Sequence, residues 1–384
     1  MAHAARSTRL LIALAFLTFF DRALLPPLLP VIARDLGARV DDIGDALVAY
    51  TVAYAAAQLL WSVISIRVGR VRVLAISTGL SIVGIVVSAL AVDASMLLIG
   101  RLIAGAALGA TVPAVLTYFG DTLPLKVRAV AAANLAAGLS LGMTVGTISA
   151  SMLGAWLDWR LAFAAAGVLA LVFTIMLIRL PEPVASASPR FWASVVQILR
   201  RPWTIAVLLL TVVEGALLVG VLSYLPTALI EQGAPIVVAG VATSVFGVAV
   251  IGFSQVLKPL LSRWSPSVVL LVGGLAMVVA YGIVAVRIDF VTVGVAAVLL
   301  GLAWAFAHTQ MQTWMTDAAA GARPVGMSLF AVALFGGGSI GAAAGNVAVP
   351  GGDFTTLFIA SAVAGAVFAA TAVVLRNRYA PREE

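Results

Sequence analysis

Four ionisable residues stand inside long apolar runs of this 384-residue chain: Asp21, Arg22, Arg101 and Glu214. An ionised side chain in mid-bilayer costs about 2.5–3.5 kcal/mol on insertion scales. Residues held at that cost pair with one another, carry protons or bind a ligand. Asp21 and Arg22 are sequence neighbours, so their side chains diverge on a helix and Arg101 is the more natural partner for Asp21. Glu214 has no cation nearby in its own run. Its desolvation then goes uncompensated, which makes it the better proton carrier of the two acids. Two readings fit these types: a chamber that moves protons or substrate, and a static charge network that locks helices.

Two stripes accompany the charges. Trp304, His308 and Gln312 recur at i, i+4 and i+8, and so do Tyr50, Tyr54 and Gln58, with Trp61 beyond them. An imidazole can relay a proton or simply hold a hydrogen bond. Aromatic rings with a polar handle suit a cavity for amphipathic ligands, and equally suit packing between helices. Other chemistry is excluded more firmly. Cysteine is absent, and His3 and His308 are the only histidines, too few for a zinc site. The chain has no Gly-x-x-x-x-Gly-Lys-[Ser/Thr] loop for ATP, no HExxH and no credible Ser-His-Asp set. No enzyme, cofactor or metal is expected.

The elements that must position these residues follow from composition. Hydrophobic residues make up 62% and charged residues 10%, with a mean hydropathy of +1.13. A soluble domain carries about 25% charged residues, so a water-facing enzyme, a nucleic-acid binder and a disordered chain are all excluded. An all-α, multi-pass membrane protein is expected. Runs of suitable length lie at 10–33, 44–66, 73–92, 95–118, 129–153, 160–180, 203–230, 236–257, 267–286, 290–315, 325–348 and 354–375. The net charge of +7 comes from short loops. One set of run ends holds Arg6, Arg9, Arg67, Arg70, Arg72, Lys126, Arg128, Arg179, Arg190, Arg200, Arg201, Lys258, Arg263, Arg323, Arg376, Arg378 and Arg382, while the opposite set holds Arg34, Arg39, Arg160 and Arg287. The positive-inside rule then predicts cytoplasmic termini in a plasma (inner) membrane. At 1.5 Å per residue, Asp21 and Glu214 lie roughly 18 Å into their runs and Arg101 roughly 9 Å from the opposite face, near one common level.

The chain also repeats. Pro30, Asp35, Gly37, Gly44 and Arg67 match Pro226, Glu231, Gly233, Gly240 and Arg263 at a shift of 196, and Gly105 matches Gly301. Arg128, Gly142, Gly146, Asp158 and Phe163 match Arg323, Gly337, Gly341, Asp353 and Phe358 at 195. Thr18-x-x-Asp21 matches Thr211-x-x-Glu214 at 193. Six runs per half make parallel repeats: an N-terminal bundle over 1–180, a cytoplasmic linker over 181–201 and a C-terminal bundle over 202–384. The linker opens as a Pro/Ser/Ala tether. It then sets Phe191, Val195, Ile198 and Leu199 against Arg190, Gln197, Arg200 and Arg201, the pattern of a short helix on the inner leaflet or of an ordinary tether.

Twelve runs in parallel halves joined by such a linker resemble the major facilitator superfamily. Local motifs carry the resemblance further. Ser65-Ile66-Arg67-Val68-Gly69-Arg70-Val71-Arg72 is similar to the family's loop after span 2. Arg101-x-x-x-Gly105-x-x-x-Gly109 is similar to its span-4 motif. Gly138-x-x-x-Gly142-x-x-x-Gly146 marks span 5, Asp158-Trp159-Arg160-x-x-Phe163 opens span 6 and Leu180-Pro181-Glu182 closes it. The first half looks most like twelve-span drug:proton antiporters and sugar-efflux permeases. Two departures stand out: Ile66 replaces the loop's acid, and Gly142-Met143 replaces the Gly-Pro of the antiporter motif.

The resemblance implies a proton-coupled secondary transporter that works by rocking of two bundles and exports small amphipathic or sugar-like compounds. First and fourth helices would line its cavity. Glu214, Asp21 and His308 are then the proton-coupling candidates. Arg22, Arg101, Tyr50, Tyr54, Gln58, Trp304 and Gln312 are the cavity candidates. Arg67, Gly69, Arg70 and Arg263, with Gly105, Gly138, Gly142 and Gly146, are the conformational set. The expected partners are protons, a small-molecule substrate and lipid, with no nucleic acid, and a monomer is expected. Uptake or uniport of an organic anion clamped by Arg22 and Arg101, and a non-transporting sensor or scaffold, are the alternatives.

Overall fold

A computed structural model describes residues 2–183, 191–261 and 263–379. The tether residues 184–190, with Arg190, and Arg382 lie outside the described residues. Twelve helices are long and apolar enough to cross a membrane: Ser7–Asp35, Val40–Ser65, Arg70–Ala89, Ala94–Thr122, Val130–Trp156, Arg160–Ile178, Pro202–Glu231, Ile236–Leu260, Pro266–Val286, Phe290–Ala318, Val325–Ala348 and Phe354–Arg378. They are numbered here as spans 1–12. The described residues contain no strand.

The chain forms two compact units, Met1–Pro189 and Arg190–Glu384. In the first, span 1 packs on span 5, span 2 on span 4, and span 3 on spans 4 and 6. In the second, span 7 packs on span 11, span 8 on span 10, and span 9 on spans 10 and 12. One packing plan is therefore used twice, as the internal repeat requires. The small-residue stripes set the closest contacts. A Cβ at Gly138, Gly142 or Gly146 would press on the carbonyls of Ile12, Phe16 or Phe20, and one at Gly337 or Gly341 on those of Val212 or Ala216. Gly105 does the same against the carbonyl of Tyr50. Small residues let backbones approach where lipid offers no hydrophobic drive to pack.

Acidic residues of one face have a local task. Asp93, Asp289 and Asp353 cap spans 4, 10 and 12, accepting from the backbone N–H of Met96, Thr292 and Thr356. The N–H groups of Thr292 and Thr356 hold the Asp289 and Asp353 carboxyls below the usual carboxylate range. Asp35 accepts from Trp159 Nε1 at 3.0 Å and from Arg160 Nη1 at 2.7 Å, and Arg160 Nη2 donates to the Ala91 carbonyl. That clasp joins the end of span 1, the loop after span 3 and the start of span 6.

Three spans are irregular, for identifiable reasons. Span 4 consists of helices Ala94–Leu108 and Thr111–Thr122. Pro113 has no N–H for the carbonyl of Gly109 and its ring crowds that carbonyl. Ala110 N–H turns to the carbonyl of Ala107, and Trp61 Nε1 donates to that of Ala106 at 2.8 Å. In span 7, twelve residues separate Glu214 from Pro226 where nine separate Asp21 from Pro30. That longer stretch contains a π turn at Ala216–Gly220 and a 3-10 turn at Val221–Tyr224. The Tyr281 hydroxyl donates to the Leu217 carbonyl inside that turn. Span 10 contains a second π turn at Trp304–His308. Such turns concentrate at functional sites.

The linker does contain a helix, Phe191–Leu199. Its polarity differs from the sequence expectation. Val195 and Ile198 are buried, whereas Leu199 is exposed together with Trp192 and Val196. Arg201, expected on the water side, donates instead to the carbonyls of Ala318 and Ala320. Ile198 lies near Gly326 of span 11, so the helix packs on the bundle with one apolar face and exposes the other.

Candidate functional site

The two intramembrane acids have different partners. Asp21 is 0% exposed and receives Arg101, itself 1% exposed, in a forked contact: Nη1 at 3.1 and 3.2 Å and Nη2 at 3.1 Å. Arg101 Nε donates to Ser88 Oγ at 3.0 Å. The guanidinium lies 4.7 Å from the Phe163 ring centre and 5.3 Å from that of Tyr50. Every nitrogen of Arg101 is therefore engaged by residues of spans 1 and 3, and rings of spans 2 and 6 flank it. The pairing of Asp21 with Arg101 is the one that the divergence of Asp21 and Arg22 on one helix favoured. The Arg101 side chain is spent on holding four neighbouring spans to span 4. Arg22 is buried as well, with its guanidinium 5.6 Å from the Phe19 ring.

Glu214 has no such cation. It is 0% exposed, and neither carboxylate oxygen has an aligned hydrogen bond among the described residues. His308 Nδ1 approaches Glu214 Oε1 to 3.2 Å without hydrogen-bond alignment. His308 comes from the π turn of span 10, and Glu214 lies just before that of span 7. Trp304 lies 4.3 Å, ring to ring, from the imidazole, Phe330 lies 5.5 Å away, and Gln312 Nε2 is 3.0 Å from His308 Nε2. Trp304, His308 and Gln312 are thus one contiguous group, and His308 is its member that approaches Glu214. A permanent cation neutralises one acid, and a titratable base stands beside the other.

A further polar group lies within the first unit. Tyr50 and Tyr54 stack with ring centres 6.1 Å apart. Gln58, one turn on, is 1% exposed, and both atoms of its amide lack a hydrogen bond among the described residues, as does the Tyr50 hydroxyl. Leaving such groups unpaired costs about 1–3 kcal/mol each. They are buried polar ends without hydrogen bonds from the described residues.

The basic loop between spans 2 and 3 works through Arg70, one of the expected conformational residues, and through Asp121 and Glu182, which lie outside that expected set. Arg67 and Arg263 are both exposed. Arg70 does the bonding: it pairs with Asp121 at 3.3 Å and donates to the Ser65 carbonyl at 2.6 Å. Glu182, after span 6, accepts from the backbone N–H of Arg70, Val71 and Arg72 at the start of span 3. Gly69 has φ +108°, a left-handed value, and a Cβ there would meet the Glu182 carboxylate. The second unit has a neutral counterpart. Ser267, at the start of span 9, donates to Asn377 Oδ1, and Asn377 stands 195 residues after Glu182. Asp317, 196 residues after Asp121, lies 4.0 Å from Arg376, whose guanidinium faces the rings of Trp314 and Tyr379. A usable signal was the recurrence of Asp121 as Asp317 at the repeat's own shift.

No group of three His, Cys, Asp or Glu residues suited to a metal occurs among the described residues. Comparison with known proteins gives a consistent picture. The family model described as "Major Facilitator Superfamily" matches residues 11–342. The proton myo-inositol cotransporter hmit-1.2 of Caenorhabditis elegans is 33% identical over 120 residues, 30% of this chain and 20% of that protein. The major facilitator superfamily multidrug transporter mfsC of Aspergillus fumigatus is 31% identical over 149 residues, 38% of this chain and 29% of that protein. Each match therefore spans less than a third of the relative's own length. The solved structure of the xylose transporter XylE from E. coli superposes with a TM-score of 0.76 over 99% of this chain and 98% of that one, at 14% identity.

Proposed function

The chain belongs to the major facilitator superfamily, and is thus a multi-pass membrane transporter rather than an enzyme; from that premise we propose that it is proton-coupled, with Glu214 and His308 as the coupling pair. The observation that carries this is the buried Glu214 carboxylate, unbonded at both oxygens and 3.2 Å from an imidazole nitrogen. Asp21 serves less well, because Arg101 occupies it. The pair can change protonation without creating a lone permanent charge in an apolar interior. A proton crossing ~100 mV supplies about 2.3 kcal/mol. Each tenfold substrate gradient requires about 1.4 kcal/mol, so one proton sustains roughly a forty- to fiftyfold gradient.

The proposed direction is export by alternating access, and the proposed cargo is a small hydroxyl-bearing or amphipathic compound. The unpaired Gln58 amide and Tyr50 hydroxyl, beside stacked rings, offer donors, acceptors and an apolar face together. The names of the relatives, a myo-inositol cotransporter and a multidrug transporter, agree with that chemistry. Clamping of an organic anion by Arg22 and Arg101 has less support, since Arg101 is engaged with Asp21. The basic loop ends place the termini on the cytoplasmic side of a plasma membrane in this reading.

The test uses purified protein in sealed vesicles with a panel of polyols, sugars and amphipathic drugs. Wild type should accumulate a substrate against its gradient when a pH difference is imposed. Glu214→Gln should keep counterflow exchange and lose pH-driven accumulation. Undiminished accumulation by Glu214→Gln would refute the coupling assignment.

A further inference from the structure

We propose that Gln312 is a positioning residue that fixes which nitrogen of His308 carries the proton. The inference rests on the coupling role given to the Glu214–His308 pair. His308 presents its two ring nitrogens to two different groups: Nδ1 to Glu214 Oε1 at 3.2 Å, and Nε2 to the side-chain nitrogen of Gln312 at 3.0 Å. An amide nitrogen only donates. With the amide nitrogen toward the ring, Nε2 offers its lone pair, and the single proton of the neutral ring sits on Nδ1, the nitrogen nearer Glu214. Free imidazole has no such constraint, so this order is imposed by the neighbour.

Local structure makes the constraint firm. His308 ends the π turn Trp304–His308, and Gln312 lies one turn on in the helix Thr309–Ala318. Trp304 covers one side of the ring at 4.3 Å, and Phe330 of span 11 closes in at 5.5 Å. The imidazole is buried among apolar groups, so no water-rich surface competes for Nε2. The titratable and charged groups of the elements around it are few. Span 7 contributes Glu214, with Tyr224 buried farther along it and Glu231 exposed at its end. Span 8 carries Lys258, exposed at its end, and span 9 carries Tyr281, which is bonded to the Leu217 carbonyl. Span 11 carries Arg323, exposed at its start, and span 10 itself carries Asp317, near Arg376. Glu214 is the charged group that stands within 4 Å of the ring.

The amide thereby acts as a two-position element. With Nε2–H of Gln312 turned to the ring, the neutral imidazole carries its proton on Nδ1, the nitrogen 3.2 Å from Glu214 Oε1 and not aligned on it. Uptake of a proton at Nε2 forms a new N–H bond there, and the amide must rotate so that Gln312 Oε1 accepts it. The resulting imidazolium can release its Nδ1 proton to the Glu214 carboxylate: the N–H bond breaks, an O–H bond forms, and the ring is left neutral with its proton on Nε2. The starting tautomer is restored when the Glu214 O–H bond breaks and its proton returns to Nδ1 while the Nε2–H bond breaks and that proton leaves, and the amide then turns its nitrogen back to the bare Nε2. Gln312 so biases both the order of protonation and the reset, without itself gaining or losing a proton.

The chain's two histidines make the test direct. His3→Ala leaves His308 as the only imidazole, and ring-labelled histidine then gives one pair of nitrogen resonances in lipid vesicles. At neutral pH the Nδ1 resonance should be that of a protonated nitrogen and the Nε2 resonance that of a bare one. Gln312→Glu, whose carboxylate can only accept, should convert Nε2 to the protonated form at the same pH. Gln312→Leu, which removes the donor, should yield a mixture of tautomers. A bare Nδ1 with a protonated Nε2 in the parent would overturn the proposal, as would a spectrum unmoved by both substitutions. Variants that misfold are recognised by loss of the resolved pair, and Gln312→Asn, shorter by one methylene, then serves as the third substitution. Because the spectrum is read without transport, a failure of proton coupling in the Glu214→Gln assay is a separate result.

Discussion

Arg101→Leu isolates what a buried, forked ion pair is worth here. The substitution removes three contacts of 3.1–3.2 Å to Asp21 and one of 3.0 Å to Ser88, and leaves a carboxylate that is 0% exposed with no cation against it. Breaking one side of a buried pair costs about 3–5 kcal/mol, which lowers the folded-to-unfolded ratio by roughly two to three and a half powers of ten. Replacing both partners by neutral groups is far milder, since no buried charge is left over. The double variant Asp21→Asn/Arg101→Leu should therefore recover most of the loss. Reversible unfolding in mixed micelles, followed by tryptophan fluorescence, gives all four corners of the cycle. Transport per folded molecule gives the second readout. A locked structural pair predicts that the double variant transports, and a substrate-binding Arg101 predicts that it folds and does not. A coupling energy under about 1 kcal/mol would show that the contact geometry is not what holds these spans together.

Two other outcomes follow from the helix ends. Glu182→Ala removes the carboxylate that accepts from three backbone N–H groups at the start of span 3, and should cost about 0.5–2 kcal/mol; amide exchange at residues 70–72 should quicken relative to the rest of the first unit, and unchanged exchange there would contradict the cap. Asp289 and Asp353 have folded-state carboxyls held low by Thr292 and Thr356, so their stabilisation is present above the unfolded value of about 3.9 and is lost as pH falls through the folded one. Asp289→Asn/Asp353→Asn should accordingly be less sensitive than wild type to acid below about pH 4, as read from thermal midpoints across pH.

The spans were legible because membrane solvation writes them into composition: an apolar run of the right length has little else it can be. The duplicated plan was legible for a related reason, since Gly142 and Gly337 must both let backbones touch. What was hidden depends on side-chain direction. Arg101 reads from the sequence as a charge at cavity depth, and only the placement of Ser88 and Phe163 shows it facing neighbouring helices. The approach of His308 to Glu214 joins residues on different spans, and no local periodicity encodes that meeting. Glu182 was visible as part of Leu180-Pro181-Glu182, yet its target is a row of backbone groups, which leave no mark in residue identity.

The interruptions of spans 4 and 10 have one more consequence. At the repeat's shift of 196, Gly109 and Ala110 fall on Ala305 and Phe306, within the π turn of the second unit. In span 4 a proline forces the interruption, but the stretch from Ala305 to Gln312 contains neither proline nor glycine. Two different chemical causes thus produce a flaw at the same level of two duplicated helices. Each of these helices is in effect a pair of short rods with a joint between them, and in span 10 the joint is where the histidine sits. Bending there would swing His308 relative to its acid while both ends of the helix stay anchored, so a small mechanical event could open and close a proton's path.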